Sequence, residues 1–448
     1  MRTGKIRILC PSVLILLILS TFYSGTALAE PLGKRVVLDN GITLLVSERP
    51  GVPMIVVDVL IKAGSVFEPD QKAGLANLTA KLLTQGTTKR TATQVAQEID
   101  FMGASLSTNV DYDYIEAEIV VLRKYSDKGL EILGDILMNP TFAPEEIEKK
   151  IREVEGELRK DEEDPGWVAE RGFLKALFGN HPYGRIVEGS EESVKKISRA
   201  DIVDFHSNYY VPNRTIIAVA GDITLEEAKD LVQKNFGNWR PKQVQENRVP
   251  LPQGLKETVS IKLDRKITQA NIILGHLGIR RDNPDYYAIQ VMNYILGGGG
   301  FSSRLVNDIR DKRGLVYNVN SAYVSRKYSG YFQVELQTKN PSATDAIRLV
   351  VENMKRIRQN MVSERELEDA KAHLIEGLPL KIETDKEVAR NMVFLDFYGL
   401  GLDYFDKYPG YIKAVSERDI LRVAQEYLHP ERFVLVIVAD LKEVNTKS

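Results

Sequence analysis

The chain has 448 residues, a formal net charge of −2, and 43% hydrophobic against 27% charged residues. That is globular composition. It excludes a disordered or collagen-like chain, and the near-neutral balance argues against a nucleic-acid binder. The single cysteine excludes an intramolecular disulfide framework and any cysteine-rich zinc site, and the length points to more than one domain, since single cores stop growing near ~250–300 residues.

The first 29 residues read as a secretory signal peptide. Arg2, Lys5 and Arg7 give a positive start, an apolar stretch follows over 8–19, and Ala27-Leu28-Ala29 is a small-residue cleavage site before Glu30. The alternative is an uncleaved anchor, but the apolar run is shorter than the ~20 residues of a spanning helix. Cleavage removes Cys10, and a cysteine-free exported product suits an oxidising compartment such as a periplasm. No later segment is apolar enough to span a membrane, so the expected product is soluble and periplasmic.

Beyond the leader, apolar periodicity predicts strands over 35–46 and 54–61. Helices follow over 76–84 and 92–102, then strands over 105–109 and 114–121, then helices over 126–138 and 144–160. Residues 198–222 read as a capped amphipathic helix, a proline stop and a buried strand. The segment from 238 to 256 holds Pro241, Pro250 and Pro252 without apolar periodicity, which is linker composition. Strands are then predicted over 269–276, 316–325 and 331–338, and helices over 285–296, 343–360, 364–377 and 384–397.

The second half repeats the first. Residues 198–222 (SRADIVDFHSNYYVPNRTIIAVAGD) align without a gap to 416–440 (SERDILRVAQEYLHPERFVLVIVAD), with seven of 25 positions identical. A repeat this long is a duplicated domain and not a solenoid unit. The expectation is an α+β protein of two homologous domains, 30–240 and 257–448, joined by a linker over 241–256. Each is a mostly antiparallel sheet packed with several helices.

The five histidines, His181, His206, His276, His373 and His429, stand apart, so no local metal motif can be written. No G-x-S-x-G occurs. The glycine run 297–300 precedes Phe301-Ser302-Ser303-Arg304 and is no phosphate loop. It reads as a hinge or tight loop after a helix.

Residues 38–87, the Asn180-His181-Pro182-Tyr183-Gly184 turn, the strand ending at Asp222 and residues 296–325 together resemble the pitrilysin/insulinase family of metallopeptidases. The resemblance covers essentially the whole chain beyond the leader. It implies a two-domain half of a peptidase chamber, and an inverted zinc motif, H-x-x-E-H, after Gly-Leu-Ala. Here Gly74-Leu75-Ala76 leads into Asn77 at the first histidine position, Ala80 at the glutamate and Lys81 at the second histidine. None of the three suits zinc or proton abstraction. The family's distant carboxylate ligand is matched by Glu157, with Glu155 as the other candidate. The resemblance therefore implies a chain with no catalytic residue, no metal and no cofactor of its own.

Family members position peptide with an arginine and a tyrosine seven residues apart, and Arg310 and Tyr317 have that spacing. The local pattern is a short helix ending near Asp311, a turn at Gly314 and a strand from Leu315. The blander reading pairs Arg310 with Asp308 or Asp311 and half-buries the tyrosine. Arg304 and Arg313 are the alternatives. The resemblance implies a substrate-binding, activating subunit of a heteromeric zinc metalloendopeptidase acting on peptides. Its partner would be a homologous H-x-x-E-H subunit in a heterodimer, and that partner would carry the zinc. The other readings are an inert peptide-binding or assembly protein of the same fold, and an autonomous hydrolase with an unrecognised site.

Overall fold

Apolar runs in each half build one sheet. The structure, a computed structural model, describes residues 31–244 and 248–444. The leader expected over 1–29 lies outside the described residues. The first sheet comprises β1 (Lys34–Val37), β2 (Thr43–Glu48), β3 (Met54–Ile61), β4 (Ser105–Val110), β5 (Ile115–Leu122) and β6 (Thr215–Gly221), in the order β1-β2-β6-β3-β5-β4. The second comprises β7 (Val259–Asp264), β8 (Gln269–Gly278), β9 (Val316–Ser325), β10 (Gly330–Lys339) and β11 (Val434–Ala439), in the order β7-β11-β8-β10-β9.

Without β1 the two orders coincide strand for strand. Each sheet has one parallel pair, β2 with β6 and β7 with β11, and every other pair is antiparallel. The parallel registers also correspond, Thr43 facing Ile216 and Val259 facing Val434. The duplication read from the sequence is thus a duplication of topology, and the two-domain α+β architecture is the one observed.

The repeated helices start alike. Ser198 caps Arg199–Tyr209 and Ser416 caps Glu417–Tyr427. In each, the serine hydroxyl accepts from the N–H of an aspartate three residues on, and that aspartate accepts from the serine N–H. Ser416→Ala is expected to lower stability by about 1 kcal/mol, read as a shift of the urea midpoint. An unmoved midpoint would show that the second cap contributes nothing.

Prediction and structure part at several elements: β7 and the helices Pro165–Phe178, Leu225–Phe236 and Tyr404–Lys413 lie outside the expected ones, and one expected strand divides. The strand expected over 35–46 is a hairpin, β1 and β2, because Asn40-Gly41 turns the chain and the Leu38 N–H closes on the Ile42 carbonyl at 2.9 Å.

The halves exchange helices. One face of the first sheet is covered by first-half helices, and its other face (Leu45, Val56, Leu60, Ala218) packs on Ala389, Met392 and Val393 of the second-half helix Asp385–Tyr398. Reciprocally, Ala169 and Phe173 of the first-half helix Pro165–Phe178 pack with Ile273, Val434 and Val436 of the second sheet. The hairpin turns that follow β4 and β9 also lock together. Arg326 donates to both oxygens of Asp111 (2.6 and 2.7 Å), and Asp113 accepts from the Tyr183 hydroxyl (2.6 Å) and the Lys327 N–H (3.2 Å).

Candidate functional site

The Asn77 face is built on the helix Leu75–Leu82. Its start is held by Glu68, whose buried carboxyl accepts from the N–H of Ala76 at 2.6 Å and of Gly74 at 3.2 Å. Burial pushes this carboxyl up to about 8, against those two hydrogen bonds and the charge of Arg185. Asn77 is buried, and its side-chain amide nitrogen has no hydrogen-bond partner among the described residues. Ala80 is buried too, and its carbonyl accepts from the Thr108 hydroxyl of β4 at 3.2 Å.

Lys81 lies one turn beyond Asn77. Its ammonium sits on both oxygens of Glu157, at 2.8 and 3.1 Å, from the neighbouring helix Pro144–Asp161. Glu155 instead meets Lys195 at 2.7 Å. The Lys81–Glu157 pair is partly exposed, so its energy is small, about 0–1 kcal/mol. Its geometry is what matters, because the cation is supplied by the chain itself. An amide, a methyl and an ammonium do not fit a zinc ion. Among the described residues, no group of three His, Cys, Asp or Glu side chains is placed to hold a metal.

The second face lies at the end of the Val306–Asp311 helical turn and the start of β9. Arg310 makes no ion pair or hydrogen bond among the described residues through its side chain. Its guanidinium stacks over the Phe301 ring, 5.0 Å from the centroid. Of the two carboxylates offered by the blander reading, Asp311 forms no ion pair with Arg310, and Asp308 is taken by others. Asp308 is held by Arg313, Arg356 and Asn353, and although burial pushes its carboxyl up, these partners bring it below the usual range. Arg304 is equally committed, bidentate to Glu366 at 2.7 and 2.9 Å. Of the three candidate arginines, Arg310 alone has no carboxylate.

Tyr317 is not half-buried; it is 73% exposed. The cause is a β-bulge. Gln337 of β10 pairs with Asn318 and Thr338 pairs with Val316, so Tyr317 is the extra residue in the ladder. The Gly314 N–H donates to the Arg310 carbonyl at 2.8 Å and joins helix end to strand start. Among the described residues no contact links the two side chains; Arg310 ends the helical turn and Tyr317 stands at the start of the edge strand β9.

Next to Tyr317, Asn318 belongs to a cleft of about 440 Å³ between β8–β10 and the start of helix Pro165–Phe178, lined also by Trp167, Glu170, Asn271, Glu335 and Gln337. Burial and the nearby Glu335 raise the Glu170 carboxyl above its usual range.

Sequence reasoning passed over Phe301, Glu68 and the bulge. Phe301 carried a signal, an aromatic ring directly after a glycine run. The first two glycines of that run end a wide helical turn over Tyr294–Gly298, and Gly297 lies so close to Ser321 that an added Cβ would fall 2.5 Å from its hydroxyl oxygen.

Residues 44–191 match the family described as Insulinase (Peptidase family M16), and residues 196–374 match the one described as Peptidase M16 inactive domain. An uncharacterized zinc protease of Mycobacterium leprae is 30% identical over 398 residues, covering 87% of each chain. The non-peptidase homolog YmxG of Helicobacter pylori is 25% identical over 407 residues, covering 90% of this chain and 93% of that one. The crystal structure of a peptidase M16 inactive domain from Pseudomonas fluorescens superposes with a TM-score of 0.85 at 25% identity, covering 91% of this chain and 98% of that one.

Proposed function

The chain belongs to the M16 (pitrilysin/insulinase) peptidase family, and from that membership and the geometry of its two faces we propose that it is a non-catalytic subunit of a two-chain zinc endopeptidase. It binds peptide and activates a homologous H-x-x-E-H partner, which carries the zinc and the water-activating glutamate. The pairing is exported and works in the periplasm after leader cleavage. Among the described residues no helix is long and apolar enough to cross a membrane.

The observation that carries this reading is an asymmetry between the faces. The motif helix closes on its own ion pair, Lys81 to Glu157, whereas Arg310 keeps its guanidinium free of carboxylates and the bulge turns Tyr317 out to solvent. A guanidinium suits peptide carbonyls or a terminal carboxylate. A tyrosine hydroxyl suits an oxyanion, whichever chain supplies the metal.

The test is reconstitution. The isolated chain should cleave no peptide, and adding it should raise the partner's kcat/KM. Arg310→Ala with Tyr317→Phe should cut the reconstituted kcat/KM by about 10²–10³-fold with assembly unchanged. Full activity in the double variant would remove both residues from the site.

A second reading, an inert peptide-binding or assembly protein, is favoured by β4. This strand is one of the two edges of the first sheet and runs beside Ala80, so an extended peptide can add to it without any chemistry following. A stable partner that itself lacks H-x-x-E-H would select this reading.

A further inference from the structure

The strand β3 reads Met-Ile-Val-Val-Asp-Val-Leu-Ile, and its one charged residue, Asp58, is 0% exposed and accepts no hydrogen bond from any donor among the described residues; the side chain within its hydrogen-bonding reach is another carboxyl, Glu116. Strand pairing puts two more carboxylates on the same face. Glu118 lies directly across from Asp58, and Glu116 lies across from Leu60. On the other side β6 places Ala218 opposite Asp58 and adds no charge.

This face is covered by the exchanged helix Asp385–Tyr398. Its Ala389, Met392 and Val393 pack on Val56, Leu60 and Ala218. Its Lys386 ammonium meets Glu118 at 2.6 Å, and its Arg390 guanidinium lies 3.6 Å from Glu116. The helix's other early charges are engaged elsewhere, Asp385 with Arg49 and Glu387 in the capping box with Thr384.

Three carboxylates therefore face two cations. With a proton on Asp58 the charges balance. Without it, a buried negative charge is left with no counter-charge, a strongly unfavourable state. We propose that the Asp58, Glu116 and Glu118 face together with Lys386 and Arg390 forms a proton-dependent clamp between the halves, closed while Asp58 is protonated and loosened when that proton is lost.

Burial first, then Glu116 and Glu118, raise the Asp58 carboxyl well above its ordinary value of 3.8, against the pull of Arg390. The folded state then binds more protons than the unfolded state at pH values above 3.8 and up to the folded value. Stability from this group is fully present below that window and is lost as pH rises through it.

Amide hydrogen exchange of residues 385–398 in the full chain, from about pH 5 to about pH 9 and corrected for intrinsic rates, tests this. Protection of that helix should fall by about tenfold or more as pH rises, while the helix Glu417–Tyr427, which packs within the second half, keeps its own. Asp58→Asn holds the protonated shape and should flatten the profile. Glu116→Gln leaves two carboxylates against two cations with Asp58 still buried, so the loss of protection should persist but move to lower pH, which decides the matter should the Asp58 variant not fold. Constant protection in the wild-type chain, a parallel loss in both helices, or the wild-type profile in both variants would overturn the clamp.

Discussion

Phe173→Ala is expected to destabilise the folded chain by about 3–5 kcal/mol. Phe173 is fully buried on the helix Pro165–Phe178, which belongs to the first half but packs against the second sheet. Its ring lies on Gly275 of β8, where an added Cβ would come within 2.9 Å of the ring tip, and meets Tyr331 edge-on at 6.0 Å between centroids. Gly275 itself is pinned, since the same Cβ would fall 2.0 Å from the Phe332 carbonyl oxygen. Gly275 has no side chain to fill the space, so the cavity term adds to the lost transfer term. Because the ring couples one half to the other, the loss should appear as an earlier urea midpoint for one cooperative transition. A cost under about 1 kcal/mol, or unfolding of the second half alone, would show that the exchanged helix is not a structural tie.

That tie was the least legible part of the sequence. Apolar periodicity states that a face is buried but not what buries it. The segment 165–178 carried a start signal, Asp164 before Pro165, and Asp164 does cap the helix by accepting from the Gly166 N–H at 2.7 Å. Nothing local assigned it to the other half's sheet. The duplication was legible because cap, proline stop and strand recur in register at 198–222 and 416–440, and each is a local signal. The Asn40-Gly41 turn was also legible in principle, but the apolar residues on both sides of it, Val36, Val37, Leu44 and Leu45, read as one run.

The candidate site divides along the same line. The substitution of Asn77, Ala80 and Lys81 for the family's zinc residues is visible in the sequence. That Lys81 reaches Glu157 depends on how two helices pack. Tyr317 could be named from its spacing to Arg310, but its exposure comes from a bulge that exists only once β9 and β10 are paired. Asp58 is a single acid in an apolar strand, and its two acidic neighbours become neighbours only through the β3–β5 register.

Replacing Asn77→His together with Lys81→His is expected to convert a chain with no metal motif into one that retains about one zinc ion per molecule after dialysis. Positions 77 and 81 are one turn apart on the helix Leu75–Leu82, so two imidazoles would project from one face. The same change removes the ammonium that now lies 2.8 Å from Glu157, leaving that carboxylate free on the adjacent helix as a third ligand. Asn77 is 8% exposed, so the larger imidazole must be accommodated, and circular dichroism should first establish that the variant is folded. Metal analysis of the wild type, the double variant and the double variant with Glu157→Gln then separates two cases. Zinc that follows Glu157 means the helix pair keeps ligand geometry and that Lys81 stands where the cation would be. A folded double variant that holds no zinc, or holds it equally without Glu157, means the helices have drifted from that arrangement, and the Lys81–Glu157 pair is then an ordinary surface contact.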